Sequence, residues 1–167
     1  MAISTDVDIK ELFDWAQMEP ANHKKYLKIL HNVYQSQEFH AFCAAFNKYL
    51  VHAFVQPPLN PFSKAIITFA SAFCLEIVTD YEKQMQKHDE NSEREGHPFF
   101  LHLMSLILTY VPLNEFNVRY HACLLLAMLF TNFDADISIS DEICDKIQTA
   151  MLKRAAEIVY VMVTAFL

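Results

Sequence analysis

Residues 115–154 read EFNVRYHACLLLAMLFTNFDADISISDEICDKIQTAMLKR, and this stretch decides the fold. Apolar side chains recur in it at steps of three and four, the spacing of one face of an α-helix. The spacing predicts two helices, with stripes formed by Val118, Ala122, Leu125, Leu126 and Leu129 in the first and by Ile143, Ile147, Ala150 and Met151 in the second. Residues 132–140 between the stripes carry Asp134, Asp136 and three small polar side chains, which favour a turn over a continued helix.

The second of these helices has a clear start and an apolar continuation. Ser140 can cap it, and Asp141 and Glu142 then occupy its first turn, where the positive end of the helix dipole stabilises carboxylates. After Arg154 the sequence changes to an apolar tail, residues 155–167, which is shorter than the roughly 20 residues of a bilayer span. Because no glycine or proline marks a turn, we expect the tail to extend the helix. Further repeats normally cover such an apolar end, so we expect a truncated or alternative N-terminal piece of a longer protein.

Composition favours helices in the rest of the chain. The 167 residues include one glycine, Gly96, against 14 phenylalanines, 7 tyrosines and 7 methionines. Walker loops, dinucleotide fingerprints and nucleophile elbows each need several glycines close together, so the sequence excludes all three. We predict an all-α domain with a thick apolar core.

The net charge and the cysteines indicate which classes of protein are compatible with this sequence. The net charge of −7 disfavours non-specific nucleic-acid binding by the chain taken alone. The four cysteines are widely spaced within helical patterns, which indicates reduced, buried thiols rather than a disulfide framework or a metal site. Acidic residues interrupt the N-terminus, which therefore lacks the pattern of a secretory signal. These features indicate an intracellular protein.

Five helices are predicted before residue 115, covering about residues 9–16, 21–35, 37–55, 62–86 and 98–110. Thr5 or Asp6 is expected to cap the first, Pro20 ends it, and Pro98 suits the first position of the fifth. Residues 87–97, KHDENSEREGH, have no apolar anchor and are predicted to form an exposed loop. We expect antiparallel pairs in which the third helix faces the second and the fifth faces the fourth.

The motif Asn117-Val118-Arg119-x-x-Ala122 at a helix start, followed by leucines, resembles the second helix of a HEAT repeat. A more specific resemblance, to the G-type HEAT-repeat subunits of condensin, rests on RYHACLL (119–125), on residues 137–147 and on AMLKR (150–154). In that family a V-R-x-R-x-C-L-L helix is followed by an I-D-x-x-x-x-D-K-I-x-x-A-M-L-x-R helix. Further similarities follow in the family's order at residues 9–17, 25, 34, 39–40, 48–49 and 69–70.

This resemblance covers about residues 8–154. It implies a HEAT-like α–α superhelix at the N-terminal end of a solenoid, with residues 1–154 as the repeat domain. It also implies a non-enzymatic condensin subunit for mitotic chromosome condensation, which docks on the kleisin subunit and helps to hold duplex DNA while a separate SMC ATPase pair supplies energy. The implied location is the nucleus and condensed chromosomes, with a cytoplasmic pool. No cofactor, membrane or small-molecule substrate is implied.

Two sets of basic residues are candidates for phosphate contacts, which require lysine and arginine on one face. The sets are Lys24, Lys25 and Lys28 in the second helix, and Lys146, Lys153 and Arg154 in the last. Lys146 and Lys153 are seven positions apart and therefore share a helix face. A solvated face is the alternative reading of both sets. Family members often carry a basic pair where the third helix ends, and this chain has Val55 and Gln56 there. We expect Arg119 to tie neighbouring repeats together rather than to bind phosphate.

The eight histidines and the acidic loop do not form a recognisable metal or catalytic motif. His97 and His102 are five positions apart with no H-E-x-x-H pair, and the carboxylates of residues 134–145 lack the glycine and terminal glutamate of an EF-hand. We therefore assign no catalytic, cofactor-binding or metal-binding residue. Two other functions stay open: a generic HEAT-type adaptor, and a truncated isoform without the full DNA and kleisin groove. An enzyme would need a polar-lined cavity between the second, third and fourth helices.

Overall fold

In the computed structural model we describe residues 8–85, 96–132 and 140–165, with the side chains of the last helix taken only as far as Lys153. The regular elements of these residues are helical, which confirms the predicted all-α, HEAT-like class. They are α1 (Ile9–Met18), α2 (His23–Ser36), α3 (Phe39–Phe54), α4 (Pro61–Met85), α5 (Pro98–Tyr110), α6 (Phe116–Asn132) and α7 (Asp141–Ala165), with one turn of 3-10 helix, Pro20–Asn22, between α1 and α2. Most of the predicted exposed loop, residues 87–95, lies outside the described residues.

Side chains at the helix starts explain most of the boundaries. The cap predicted for α1 was wrong: Asp8 caps it, and its carboxylate accepts a hydrogen bond of 3.2 Å from the Lys10 amide. Asp8 directly precedes the first buried side chain, so it is in register with the first turn. Pro98 begins α5 as predicted. The helix predicted from residue 141 is also confirmed, and α7 continues as a helix to Ala165, as expected for the tail.

The helices pack in consecutive pairs, but the pairs differ from those predicted. The closely packed pairs are α1 with α2, α3 with α4 and α5 with α6, whereas α2 with α3 and α4 with α5 contact each other only slightly. The loop lengths explain part of this difference. Residues 111–115 form a short connection between α5 and α6, which makes them neighbours, while a longer segment separates α4 from α5.

Helix α4 is the centre of the stack. It contacts α1, α2, α3, α5 and α6. Among the described residues it is also the one helix whose length and composition would allow it to cross a bilayer, over Pro61–Gln84, although more than half of that segment is buried inside the protein. Burial of this kind is typical of a core helix that is apolar on several sides.

A quartet of phenylalanine rings joins α3, α4 and α5. Phe42 and Phe46 from α3, Phe73 from α4 and Phe99 from α5 are fully buried, and each ring centroid lies 5.2–5.9 Å from the other three. Phe13 adds α1, because its ring packs edge-on against Phe46 at 5.2 Å. Aromatic pairs at these separations contribute beyond the area they bury, so this cluster is the energetic centre of the core.

Candidate nucleic-acid and partner interfaces

The first basic set lies on the outer face of α2. Lys24, Lys25 and Lys28 are all exposed, while Tyr26 and Leu27 between them are buried. Positions 24, 25 and 28 fall within about 100° of one another around the helix, since each residue advances the helix by about 100°. The three ammonium groups therefore share one side of α2, as the sequence predicted.

Hydrogen bonds at the start of α2 fix that face. The Tyr26 hydroxyl and the Asn22 side-chain amide both donate to Glu19, at 2.5 and 2.7 Å, and the His23 Nε2–H donates to the Ala16 carbonyl at 2.8 Å. The hydrogen bond from Tyr26, more than any other contact, lowers the pKa of Glu19. The Glu19 carboxylate also interacts with the Lys25 ammonium and offsets part of its positive charge.

The second basic set lies on α7 and is partly neutralised. The Lys146 ammonium forms an ion pair of 2.5 Å with Glu142 one turn earlier, and the hydrogen bond of that pair lowers the pKa of Glu142. Lys153 is exposed, and the Arg154 side chain lies outside the described residues. The structure does not bring the two basic sets together, because α2 packs against α1, α3 and α4 whereas α7 packs against α5.

Two polar residues of α6 instead donate hydrogen bonds to the end of α3. Asn117 donates from its side-chain amide to the Val55 carbonyl at 3.3 Å, and His121 donates from Nδ1 to the Phe54 carbonyl at 3.0 Å. Both carbonyls belong to the C-terminal end of α3, where backbone acceptors lack helical partners. The contact observed for Arg119 is not the one expected between neighbouring repeats: it donates to the carbonyl of Leu113, in the connection between α5 and α6, at 3.2 Å.

His121 is a structural residue that the sequence analysis missed. It is fully buried, and its Nδ1 must carry the proton because a carbonyl can only accept. The sequence indicates the burial of His121, because position 121 lies beside Val118, Ala122 and Leu125 on the buried stripe of α6. Its partner was not predictable, because Phe54 lies 67 residues earlier in the chain.

His97 caps α5 with its ring. Its Nδ1 accepts a hydrogen bond of 3.2 Å from the Phe99 amide, and its ring packs against Tyr81 at 5.1 Å and Tyr34 at 6.2 Å. Burial among these groups lowers the pKa of His97 to about 4. Protonation would also place a hydrogen on Nδ1 and remove the acceptor that caps the helix.

We therefore expect His97 to make the fold acid-sensitive. Its folded pKa lies below the usual value of 6.5, so its stabilising contribution is complete above that pH and is lost as the pH falls towards 4. In His97→Ser, which keeps a capping oxygen and does not titrate, this loss should be absent. As the pH falls from 7.5 to 4.5, the free energy of unfolding of the variant should rise by roughly 1–2 kcal/mol relative to that of wild type. This figure allows for solvent screening at a partly exposed ring. Urea unfolding of both proteins at the two pH values measures the difference, and a constant difference would contradict this role.

The other titratable groups do not assemble a reactive site. Within the described ranges no three histidine, cysteine or acidic side chains are placed to hold a metal ion. Burial raises the pKa of Cys43 to about 11 and also raises that of Cys74, so neither thiol is a nucleophile at neutral pH. A cavity of about 240 Å³ at the ends of α1, α3 and α4 is lined by His52 and Ser63, but no hydrogen bond joins those two among the described contacts.

Two further cavities lie along α7. One of about 660 Å³ separates α5 from α7 and is lined by Leu101, Met104, Leu108 and Ile143 among others. The second, of about 450 Å³, shares Leu108 with it and extends along α7 to Lys153. The side chains Ile143, Ile147 and Ala150, which hold α7 on the stack, are only partly buried. Over residues 141–153, the part of α7 whose side chains the structure describes, this helix is therefore packed loosely on the stack.

The stacked helix pairs and the inter-pair contact through the α3 carbonyls form an all-α, HEAT-like helical stack. No family model matches the sequence. The chain is similar to condensin complex subunit 3, with 30% identity over 149 residues to the Homo sapiens protein and 27% identity over 149 residues to that of Xenopus laevis. Each alignment covers 89% of this chain and 14% of the relative's length. The similarity confirms the resemblance to the G-type condensin subunits.

Proposed function

We propose that this chain acts as a non-enzymatic helical-repeat scaffold in the condensin complex and contributes to mitotic chromosome condensation in the nucleus. The observation that carries the proposal is the similarity to condensin complex subunit 3 over 149 residues, which is 89% of this chain. The architecture supports it, because stacked helices joined by side-chain contacts offer extended surfaces rather than a reaction cleft. The scaffold would dock on the kleisin subunit, with the SMC ATPase pair supplying the energy.

Within that role, we assign the weak DNA contact to α2. Lys24, Lys25 and Lys28 share an exposed side of one helix, whereas Lys146 is paired with Glu142 on α7. Three ammonium groups on one side can each neutralise a phosphate, and each neutralised phosphate adds about 0.9 to the salt dependence of binding to duplex DNA. Lys153 and Arg154 remain secondary candidates. The net charge of −7 keeps the total affinity low.

Replacing Lys24, Lys25 and Lys28 by alanine together should weaken duplex DNA binding about 10-fold or more at low salt. It should also reduce the slope of log affinity against log salt by about 2–3. The measurement is a gel-shift titration at two salt concentrations, with and without a kleisin segment, which we expect to tighten binding.

The matched control removes the same charge elsewhere. Lys10, Lys64 and Lys83 are also exposed and lie on other helices, so their triple alanine variant has an identical net charge. It should bind almost as wild type does. Equal losses in the two triple variants would mean that net charge, and not the α2 face, governs binding. If no salt-dependent binding to duplex DNA is seen, with or without the kleisin segment, the proposal that this part of the protein holds DNA is wrong.

A second candidate function is a HEAT-type adaptor that binds a protein partner without DNA. The charges on α7 favour this adaptor function. Glu142, Asp145 and Lys146 give the helix both signs of charge, and such a surface is better suited to binding a polypeptide than a phosphate backbone. Peptide binding that is insensitive to salt, together with no measurable DNA affinity, would favour the adaptor.

A further inference from the structure

The cavity of about 240 Å³ lies where α1 and α3 end and α4 begins. Its polar lining consists of five side chains, from Gln17, His52, Gln56, Asn60 and Ser63, and none of its lining residues is acidic. Cavities that hold a whole organic ligand measure about 300–1,000 Å³. This cavity is therefore of a size for one polar group and its stem rather than for a cofactor.

Ser63 is a polar group of this cavity that the fold does not use. It is 2% exposed, and its hydroxyl makes no hydrogen bond among the contacts of the described residues. Ser71, further along the same helix, is also buried, but its hydroxyl donates to the Thr68 carbonyl at 2.9 Å. A buried hydroxyl without a partner costs free energy, and the cavity is the place from which a partner can reach Ser63.

The start of α4 adds positive potential at the same place. The helix has 25 residues, and aligned peptide dipoles place about half an elementary charge at a helix N-terminus. Pro61 has no amide hydrogen, and the Phe62 amide already donates to the Asn60 side chain at 2.9 Å. The Ser63 amide is the next donor of the first turn, so Ser63 offers an amide and a hydroxyl to the same ligand.

The other polar side chains around Ser63 can also act as donors. Gln17 and Gln56 each carry a side-chain NH₂ group, and the ring of His52 carries an N–H in either tautomer. The amide nitrogen of Gln56 makes only a long contact of 3.5 Å, to the His52 carbonyl. Several donors with no carboxylate among them form a site for an anion rather than for a cation.

Apolar side chains surround the opening of the cavity. Phe62, which lines it, is 50% exposed, and Met18 and Leu59, next in the chain to Gln17 and Asn60, are 72% and 94% exposed. Duplex DNA is held by clustered lysines and arginines, and the lining contains neither residue. A polypeptide, in contrast, carries apolar side chains beside its charged groups. The surroundings therefore favour an anion that is attached to a polypeptide.

We propose that this cavity binds the phosphate group of a phosphorylated serine or threonine side chain of a polypeptide. Such a group carries a charge of about −1.5 to −2 at neutral pH and has three acceptor oxygens. Ser63, His52 and the two glutamines supply the donors, while apolar residues of the polypeptide contact Leu59 and Phe62. The inference goes beyond the proposed function, and it involves none of the α2 lysines.

The test uses the 167-residue chain and a short fluorescent peptide with one phosphoserine between leucines. Fluorescence anisotropy should show saturable binding with a Kd below about 1 mM. The unphosphorylated peptide should bind at least about 10-fold more weakly, because it lacks the charged acceptor. Ser63→Ala should weaken binding of the phosphopeptide about 5-fold, and His52→Glu, which places a carboxylate in the cavity, at least about 10-fold.

Two controls make the same changes outside the cavity. Ser71→Ala removes a buried hydroxyl of α4, and His40→Glu adds a carboxylate to the exposed start of α3. Both should bind the phosphopeptide as wild type does. Circular dichroism checks that all four variants are folded.

Four outcomes would overturn the proposal. They are no binding up to about 1 mM phosphopeptide, equal binding of the phosphorylated and unphosphorylated peptides, and equal binding by wild type and both cavity variants. The fourth is displacement of the peptide from the cavity by an equal concentration of inorganic phosphate or of duplex DNA, which would assign the cavity to a free ion or to nucleic acid. Lys24, Lys25 and Lys28 are unchanged in every variant, so this test and that of DNA binding by α2 can fail independently.

Discussion

Replacing Phe46 by alanine should lower the free energy of unfolding by about 3–5 kcal/mol, the loss expected when a phenylalanine is truncated in a packed core. Phe46 is fully buried, and its ring lies 5.2–5.8 Å from the rings of Phe13, Phe42, Phe73 and Phe99. Alanine would remove contacts to four helices at once. The cavity cannot close easily, because the rings around it are held by separate helices.

The matched control for this prediction is Phe116→Ala. Both substitutions remove the same side chain from a helix, but Phe116 is largely exposed and should cost less than about 1 kcal/mol. Chemical denaturation followed by circular dichroism gives both values. Similar losses in the two variants would show that the ring cluster is not the centre of the core.

Replacing His121 by alanine should lower the free energy of unfolding by about 2–4 kcal/mol. The substitution removes a fully buried side chain and leaves the Phe54 carbonyl without its donor at the end of α3. The loss comes from a buried acceptor and a cavity at the contact between two helix pairs. Hydrogen exchange should therefore speed up first in the last turn of α3 and the first turns of α6.

Asn117→Ala provides the comparison for His121. Asn117 donates a hydrogen bond to the neighbouring Val55 carbonyl. This bond, at 3.3 Å, is longer than that of His121 and is exposed to solvent. Its loss should cost about 0.5–1 kcal/mol, since water can replace the donor. If Asn117→Ala were as damaging as His121→Ala, burial would not be the reason for the role of His121.

Helix positions could be predicted from the sequence because their signals are local. Pro98, two residues after the single glycine Gly96, occupies the first position of α5, and Asp141 and Glu142 lie in the first turn of α7. Both helix starts agree with the prediction from the sequence. The first cap was misassigned by two or three residues, because Thr5, Asp6 and Asp8 are all suitable cap types and only the helix register selects Asp8.

Helix pairing could not be predicted, because it depends on which apolar faces meet. Helix α4 is apolar on several sides, so its sequence allows several neighbours, and the three-dimensional packing places it mainly against α1, α3 and α6 rather than against α5. The candidate site shows the same limit. Helical periodicity places Lys24 and Lys28 on one face, but it carries no information on whether that face lies near Lys146.

Purification of the tagged chain from mitotic cells tests the central claim most directly, namely that this helical stack is a scaffold of the condensin complex. We expect the kleisin subunit and the SMC pair to be recovered with wild type and to be recovered in smaller amounts with Phe46→Ala, which destabilises the stack. Recovery of neither partner with a folded wild-type chain would contradict the account and leave a HEAT-type adaptor outside condensin.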